Sequence, residues 1–373
     1  MSTLLSPRAL NRATLAGQLL LQRHDLPVYD AVTHLVGLQA QQPQNPYVGL
    51  WSRLARFDPD VLSQLLVDRA VVRIVVMRGT LHLVTAEDAL VLRPLVQPVL
   101  DGELTRHSEY AQPLRTLDLG PVMAFARPLL ATQPRTGAEL RAALAAEFPD
   151  LHAAALAYAC RNHLAIVQVP PRGLWRRSGA VRSTTLESWV DRPLASNPSI
   201  DDVVLRYFAA FGPATVADLA TWSRLTGLRE VVERVRSRLR PFRDEQGREL
   251  FDLPDAPRPD AATPAPASIL PEYDNVLLSH ADRSRFARVD AAVLGAASAV
   301  HGTILHDGQV AAAWHGARGR ETGAHTMTIE HLGVNQRARS AIASEARRFL
   351  RFTEPDATER VVRLVSLNRE VRR

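Results

Sequence analysis

Lysine is absent from this sequence: all 45 residues counted as Lys+Arg are arginine, against 39 Asp+Glu, for a net charge of +6. No side-chain amine is therefore present to form an imine with a carbonyl carbon. Cys160 is the only cysteine, which excludes an internal disulfide, a cysteine-rich zinc site and a protein-held iron–sulfur cluster. Its neighbours Ala157, Tyr158, Ala159 and Leu164 mark it as a buried structural thiol. The twelve histidines contain no ligand pair at helical spacing, and His301, His306, His315, His325 and His331 spread along an expected sheet. Neither a metal nor another cofactor is expected. No apolar run approaches the length of a membrane span, and the start Met1-Ser2-Thr3-Leu4-Leu5-Ser6 lacks a signal-peptide core. The expectation is a cytoplasmic protein with no membrane partner.

What is present is an ordinary globular composition, 46% hydrophobic and 23% charged, on a chain long enough for two or three domains. Arginine forks onto phosphate oxygens and stays charged at any working pH, so the basic excess fits a nucleic-acid partner. The excess is modest for this length, and a GC-rich genome would also replace lysine by arginine.

Hydrophobic periodicity gives a fold class of α+β, with short helices followed by two short strands, repeated three times. In the first unit residues 7–23, 28–38, 46–55 and 59–68 carry helical patterns, ahead of strands at 70–76 and 80–84. Thr85, followed by Glu87 and Asp88, caps the next helix. In the second unit Thr136 and Glu139 form a capping box, and strands at 165–169 and 174–177 flank Pro170-Pro171-Arg172-Gly173. The third unit has helices at 199–211, 215–223 and 226–239 and a hairpin turning at Gln246-Gly247. Three short helices followed by a basic hairpin is the winged-helix order, so the expectation is a tandem, concave, DNA-binding array. The boundaries read as 1–115, 116–195 and 196–254, a Pro/Ala linker at 255–267, and a C-terminal α+β domain at 268–373.

The most informative stretch is Gln39-Ala40-Gln41-Gln42-Pro43-Gln44-Asn45-Pro46. Pro43 and Pro46 push the residues before them out of the helical region. If the helix ends near Leu38, an extended segment carries Gln39 and Gln41 to the same side. Two uncharged amides then converge, each with two donors and an acceptor. The plainer reading is a polar helix exit.

Three motifs in this order, Leu35-Val36-Gly37-Leu38-Gln39-Ala40-Gln41, Met77-Arg78-Gly79-Thr80-Leu81-His82-Leu83-Val84 and Leu270-Pro271-Glu272-Tyr273-Asp274-Asn275 through His280-Ala281-Asp282, resemble the AlkZ-type winged-helix DNA glycosylases in their Gln-x-Gln branch. The resemblance covers nearly the full length. It implies that Gln39 and Gln41 are the catalytic pair, where a sister branch has Gln-x-Asp. It implies double-stranded DNA as partner and N7-alkylated purines as substrate, including bulky adducts and interstrand crosslinks made by DNA-alkylating natural products. Without lysine, a strand-cutting lyase is not expected. A monomer in the cytoplasm, associated with the nucleoid, is the expected state.

Glutamine cannot act as a general base, but a cationic N7-alkylguanine leaves as a neutral base, so positioning one water suffices. Arg78, Thr80 and His82 either hold a phosphate beside the glutamines or simply build a hairpin packed on the helices. Glu272, Asp274, Asn275, His280 and Asp282 either support the active site or form a buried network, and Asp274 or Glu272 could supply a carboxylate. Arg318 and Arg320, in a Gly-rich hairpin, are candidates for the minor groove, or an ordinary solvated turn. Arg176, Arg177, Arg236 and Arg240 are candidate DNA contacts, Arg236 and Arg240 more for phosphate than for bases. The competing function is a non-catalytic winged-helix regulator or an adduct-sequestering protein.

Overall fold

The computed structural model describes residues 3–286, 301–319, 323–331 and 333–367. The architecture is mixed α+β. Helices Pro7–Gly17, Val28–His34, Asn45–Arg53 and Pro59–Val67 precede the antiparallel strands Val71–Val75 and Leu81–Thr85. Ser6 caps the first helix by accepting from the Ala9 amide, Asp58 the fourth by accepting from Asp60, and Thr85, as the sequence suggests, caps helix Ala86–Leu95 by accepting from Asp88.

Two of these helices stop earlier than their periodicity. The first ends at Gly17, where a Cβ would stand only 3.0 Å from the Ala210 carbonyl oxygen, because it crosses helix Ile200–Phe211 at close range. The second ends at His34; Val36 and Gly37 then take positive φ of 53° and 89°. A Cβ on Gly37 would meet Val84 at 2.5 Å and the Leu83 carbonyl at 2.7 Å. Glycine is therefore what lets Leu38–Gln39 swing onto strand Leu81–Thr85.

Helices Gly120–Thr132, Gly137–Glu147 and Ala153–His163 follow, with the Thr136/Glu139 capping box formed in both directions. The strand expected at 174–177 is not there; Ile166–Gln168 pairs instead with Arg182–Thr185. Leu174 and Trp175 are drawn away onto the first helices, where the Trp175 amide donates to Ser63 Oγ at 3.0 Å and Tyr47 Oη to the Gly173 carbonyl at 2.8 Å. The burial of two large apolar side chains outweighs extending the hairpin.

Helices Ile200–Phe211, Val216–Ser223 and Leu228–Arg234 lead into the hairpin Arg240–Asp244 and Glu249–Asp252, which strand Thr3–Leu5 extends in parallel. The first two hairpins merge into one six-stranded sheet, because Val71–Val75 pairs antiparallel with Ile166–Gln168. One hydrophobic cluster continues from Ile74 and Val84 through Tyr207, Phe208 and Phe211 to Trp222.

The 255–267 segment is pinned rather than loose, with Arg8 and Arg12 donating to the Ala261 and Thr263 carbonyls. After it, Ser268–Leu270, Gly302–His306, Gln309–Arg318 and His325–His331 form an antiparallel sheet, joined in parallel by Arg360–Ser366 after helix Gln336–Thr353. Trp51 meets Phe349 and Phe352 at 5.1 and 5.7 Å, docking this sheet and its helix on helix Asn45–Arg53. Among the described residues, no helix is long and apolar enough to cross a membrane.

Candidate active site

Gln39 sits on the edge of the six-stranded sheet, opposite His82, and is buried. Across from it the chain turns through Met77–Gly79, with Arg78 and Gly79 at φ 59° and 69°. That turn sends the Arg78 side chain inward. Its Nη2 donates to Gln39 Oε1 at 2.8 Å and its Nη1 to the Trp222 carbonyl at 3.0 Å. Arginine has no acceptor, so the Gln39 atom facing it is the carbonyl oxygen, and the Gln39 NH₂ is the free end.

Arg78 Nη2 also lies 3.3 Å from His82 Nε2, while His82 Nδ1 faces the Thr80 carbonyl at 3.0 Å. Nδ1 must then carry the proton and Nε2 accept. Complete burial, reinforced by Arg78, pushes His82 down to about 3. Burial, then Arg224 and Arg283, lower Arg78 to about 10, which leaves it charged at neutral pH. Thr80 Oγ1 donates to the Met77 carbonyl at 3.2 Å. The left-handed turn thus folds the Arg78 guanidinium onto Gln39, and the His82 imidazole has no exposed surface.

Ala40 is buried, and its amide donates to the Leu81 carbonyl at 2.8 Å. Gln41 is exposed, and its amide has no hydrogen-bond partner among the described residues. The edge strand therefore offers one fixed amide, and the segment just after it one free amide.

Beneath Gln39 lies a cavity of ≈ 10 Å³, room for one water, whose lining includes Asn45, Arg53, Asp274 and Asn275. Arg53 forks onto Asp274 at 2.9 and 2.8 Å, with both side chains almost fully buried. Asp274 also accepts from the Val276 amide. Its oxygens are committed, so Asp274 is not the free carboxylate that the sequence left open. Asn275 Nδ2 donates to the Gly37 carbonyl at 2.9 Å, tying the third motif to the turn that releases Gln39. Asn275 Oδ1 is buried without a hydrogen-bond partner among the described residues. Glu272 holds the Asn45 amide through its backbone carbonyl at 2.8 Å, and burial raises its carboxyl.

The far half of that motif points elsewhere. His280 Nε2 lies 3.0 Å from the Phe211 carbonyl, and burial, then Arg285, push the ring down to about 3. Burial alone would raise Asp282, but the Ser284 amide and hydroxyl and Arg248 outweigh it and hold the carboxyl at about 2. Arg248 contacts it at 2.7 Å. These two residues tie the motif to the third helical group and its hairpin rather than to Gln39.

Both buried histidines stay neutral in the folded protein and titrate near 6.5 when unfolded. As pH falls from 6.5 toward 3 the unfolded chain takes up protons that the folded one refuses, so stability declines. Each ring contributes a slope of up to roughly 1.4 kcal/mol per pH unit in that window. Urea unfolding at pH 7, 6, 5 and 4 should show the decline, and His82→Asn should make it shallower. A pH-independent midpoint over that range would contradict this.

The remaining candidates separate by their partners. Arg236 is held by Glu233 and Glu249 at 2.9 and 2.7 Å and covers the Phe251 ring. Arg176 pairs with Asp356 at 2.8 Å. Arg177 and Arg240 are exposed and form no ion pair among the described residues. Arg318 ends strand Gln309–Arg318, and Arg320 lies outside the described residues. The residues not foreseen are Gln18 and Arg53. Arg53 ends helix Asn45–Arg53 and Gln18 is the cap after helix Pro7–Gly17, its carbonyl accepting from Arg53 Nε at 3.0 Å; both are buried, and no local pattern distinguishes them from solvated ones.

Among the described residues no group of His, Cys, Asp and Glu could hold a metal ion. The same fold occurs in a DNA glycosylase of known structure: Streptomyces sahachiroi DNA glycosylase AlkZ superposes with a TM-score of 0.72 at 19% identity, covering 97% of this chain and 100% of that one. Residues 32–352 match the family described as DNA glycosylase AlkZ-like, and the chain belongs to that family. No curated protein sequence matches it.

Proposed function

We propose that this protein is a monofunctional DNA glycosylase that hydrolyses the N-glycosidic bond of N7-alkylated purines in duplex DNA, including bulky adducts and interstrand crosslinks. The carrying observation is the Arg78–Gln39 hydrogen bond, which fixes one amide at the sheet edge, two residues before the exposed and unengaged Gln41. The helix groups and their hairpins act as a tandem winged-helix scaffold, a monomer on DNA, with Arg177 and Arg240 among its phosphate contacts.

The chemistry starts from the Gln39 amide, whose NH₂ is left free by the bond from Arg78 to its oxygen. Gln39 donates its N–H to one lone pair of a water, and the Gln41 carbonyl accepts one of that water's protons. The other lone pair then faces the anomeric carbon. As the C1′–N9 bond breaks, its electron pair neutralises the cationic alkylated purine, which departs uncharged. Water captures the oxocarbenium-like sugar, and the resulting oxonium loses its proton to solvent. No strong base is needed, because the leaving group already carries the positive charge; orientation supplies the acceleration.

The direct test is incubation with duplex containing N7-methylguanine. Free base and an intact abasic strand are expected, with nicking only after alkali or heat. Borohydride should trap no protein–DNA adduct, since there is no lysine to form the imine. Binding without base release would favour a non-catalytic adduct binder, and a trapped adduct would overturn the monofunctional assignment.

A further inference from the structure

A second cavity, of ≈ 270 Å³, opens between the C-terminal sheet and the helix that follows the two glutamines. Its floor is apolar, formed by Val48, Trp314, Met327 and Phe349. Trp314 meets Phe349 edge-on at 5.1 Å, and its indole N–H donates to the Leu270 carbonyl at 2.9 Å, so the ring offers the cavity only carbon.

The wall is preformed. Trp175 stacks on Phe352 at 5.0 Å and 25°. Gln44 clamps that loop, donating to the Leu174 carbonyl and accepting from the Arg176 amide, both at 3.0 Å. At the rim His325 Nδ1 and Glu354 Oε2 stand 3.5 Å apart. His325 can lie there only because residue 316 is glycine: a Cβ would come within 2.7 Å of His325 Nε2.

This cavity shares no lining residue with the one under Gln39. The connection is the turn from Gln41 to Gln44, so a group seated here is joined to the reacting base by a spacer. The apolar surface of Val48, Trp314, Met327 and Phe349 suits a hydrocarbon ring.

We propose that the cavity receives an apolar ring carried at the end of the alkyl substituent on the lesion. The proposal rests on the glycosylase reading above. Contacts to that remote ring supply binding energy that helps hold the anomeric carbon against the water.

The test compares two duplexes, one with N7-methylguanine and one with N7-(4-phenylbutyl)guanine, through the ratio of their kcat/KM values within each protein. The native protein should prefer the phenylbutyl lesion by about tenfold or more, the effect expected from burying one ring. Thr353→Phe and Val48→Phe, which fill the cavity from its rim and floor, should bring the ratio near one; two positions guard against one variant misfolding. A ratio near one in the native protein, or a preference that survives both substitutions in folded variants, overturns the proposal. Free 7-(4-phenylbutyl)guanine should also quench tryptophan fluorescence saturably in the native protein and not in Thr353→Phe. This arm needs no catalysis: if neither duplex releases base, the glycosylase reading falls, while quenching still reports on the ring site, and its absence removes the site as well.

Discussion

Gln39→Ala should lower single-turnover excision of an N7-alkylguanine by about 10²–10³-fold, the usual loss when one preorganised hydrogen-bond donor is removed from a reacting centre. Gln41→Ala should cost a comparable factor. The double variant should be little worse than either single one, because the two amides hold the same water. Affinity for alkylated duplex should stay within a few-fold of native, since neither side chain grips phosphate. The two positions are not equivalent. Gln41→Asp keeps an acceptor and should retain measurable activity, whereas Gln39→Asp replaces the donor with a carboxylate drawn toward Arg78. Excision should be flat from about pH 6 to 9, away from carboxylate reference values, because the amides do not titrate and His82 is already neutral. Full activity in the Gln39/Gln41 double alanine variant would refute the assignment.

Breaking the Arg53–Asp274 pair should be the most destabilising single change near the site. Both partners are almost fully buried and joined by two hydrogen bonds, at 2.9 and 2.8 Å. Removing one leaves an uncompensated buried charge, so Asp274→Ala and Arg53→Ala should each lower unfolding stability by about 3–5 kcal/mol. Arg53→Met combined with Asp274→Leu should cost less than either single alanine, because it removes both charges and fills the space. Urea unfolding of the three variants decides it. An alanine variant within about 0.5 kcal/mol of native, the range of ordinary surface changes, would mean the pair is not the clamp described.

Much of the scaffold was legible because its signals are local. Side-chain caps marked the starts at Thr85 and Thr136, and Gly247 marked the third hairpin turn. The second hairpin was misread because Leu174 and Trp175 look like strand residues, and only the distant pocket around Tyr47 and Ser63 reveals where they go. At the site, Gln39 stood out as part of an uncharged amide cluster. Its partner Arg78 looked like a hairpin-tip arginine, because nothing local encodes an inward turn. Arg53 was invisible for a similar reason: its partner is 221 residues away.

That separation also sets a schedule. A ribosome delivers Gln39 early and Asp274 much later; at about 5–20 residues per second, the 221 residues from Arg53 to Asp274 take on the order of ten to forty seconds to arrive. Until then Arg53 has no counter-ion and the Gly37 turn lacks its tie to Asn275. A nascent or prematurely terminated chain can therefore display the glutamine motif without the floor that holds it, and the working site comes into being only after Asp274 and Asn275 have been made.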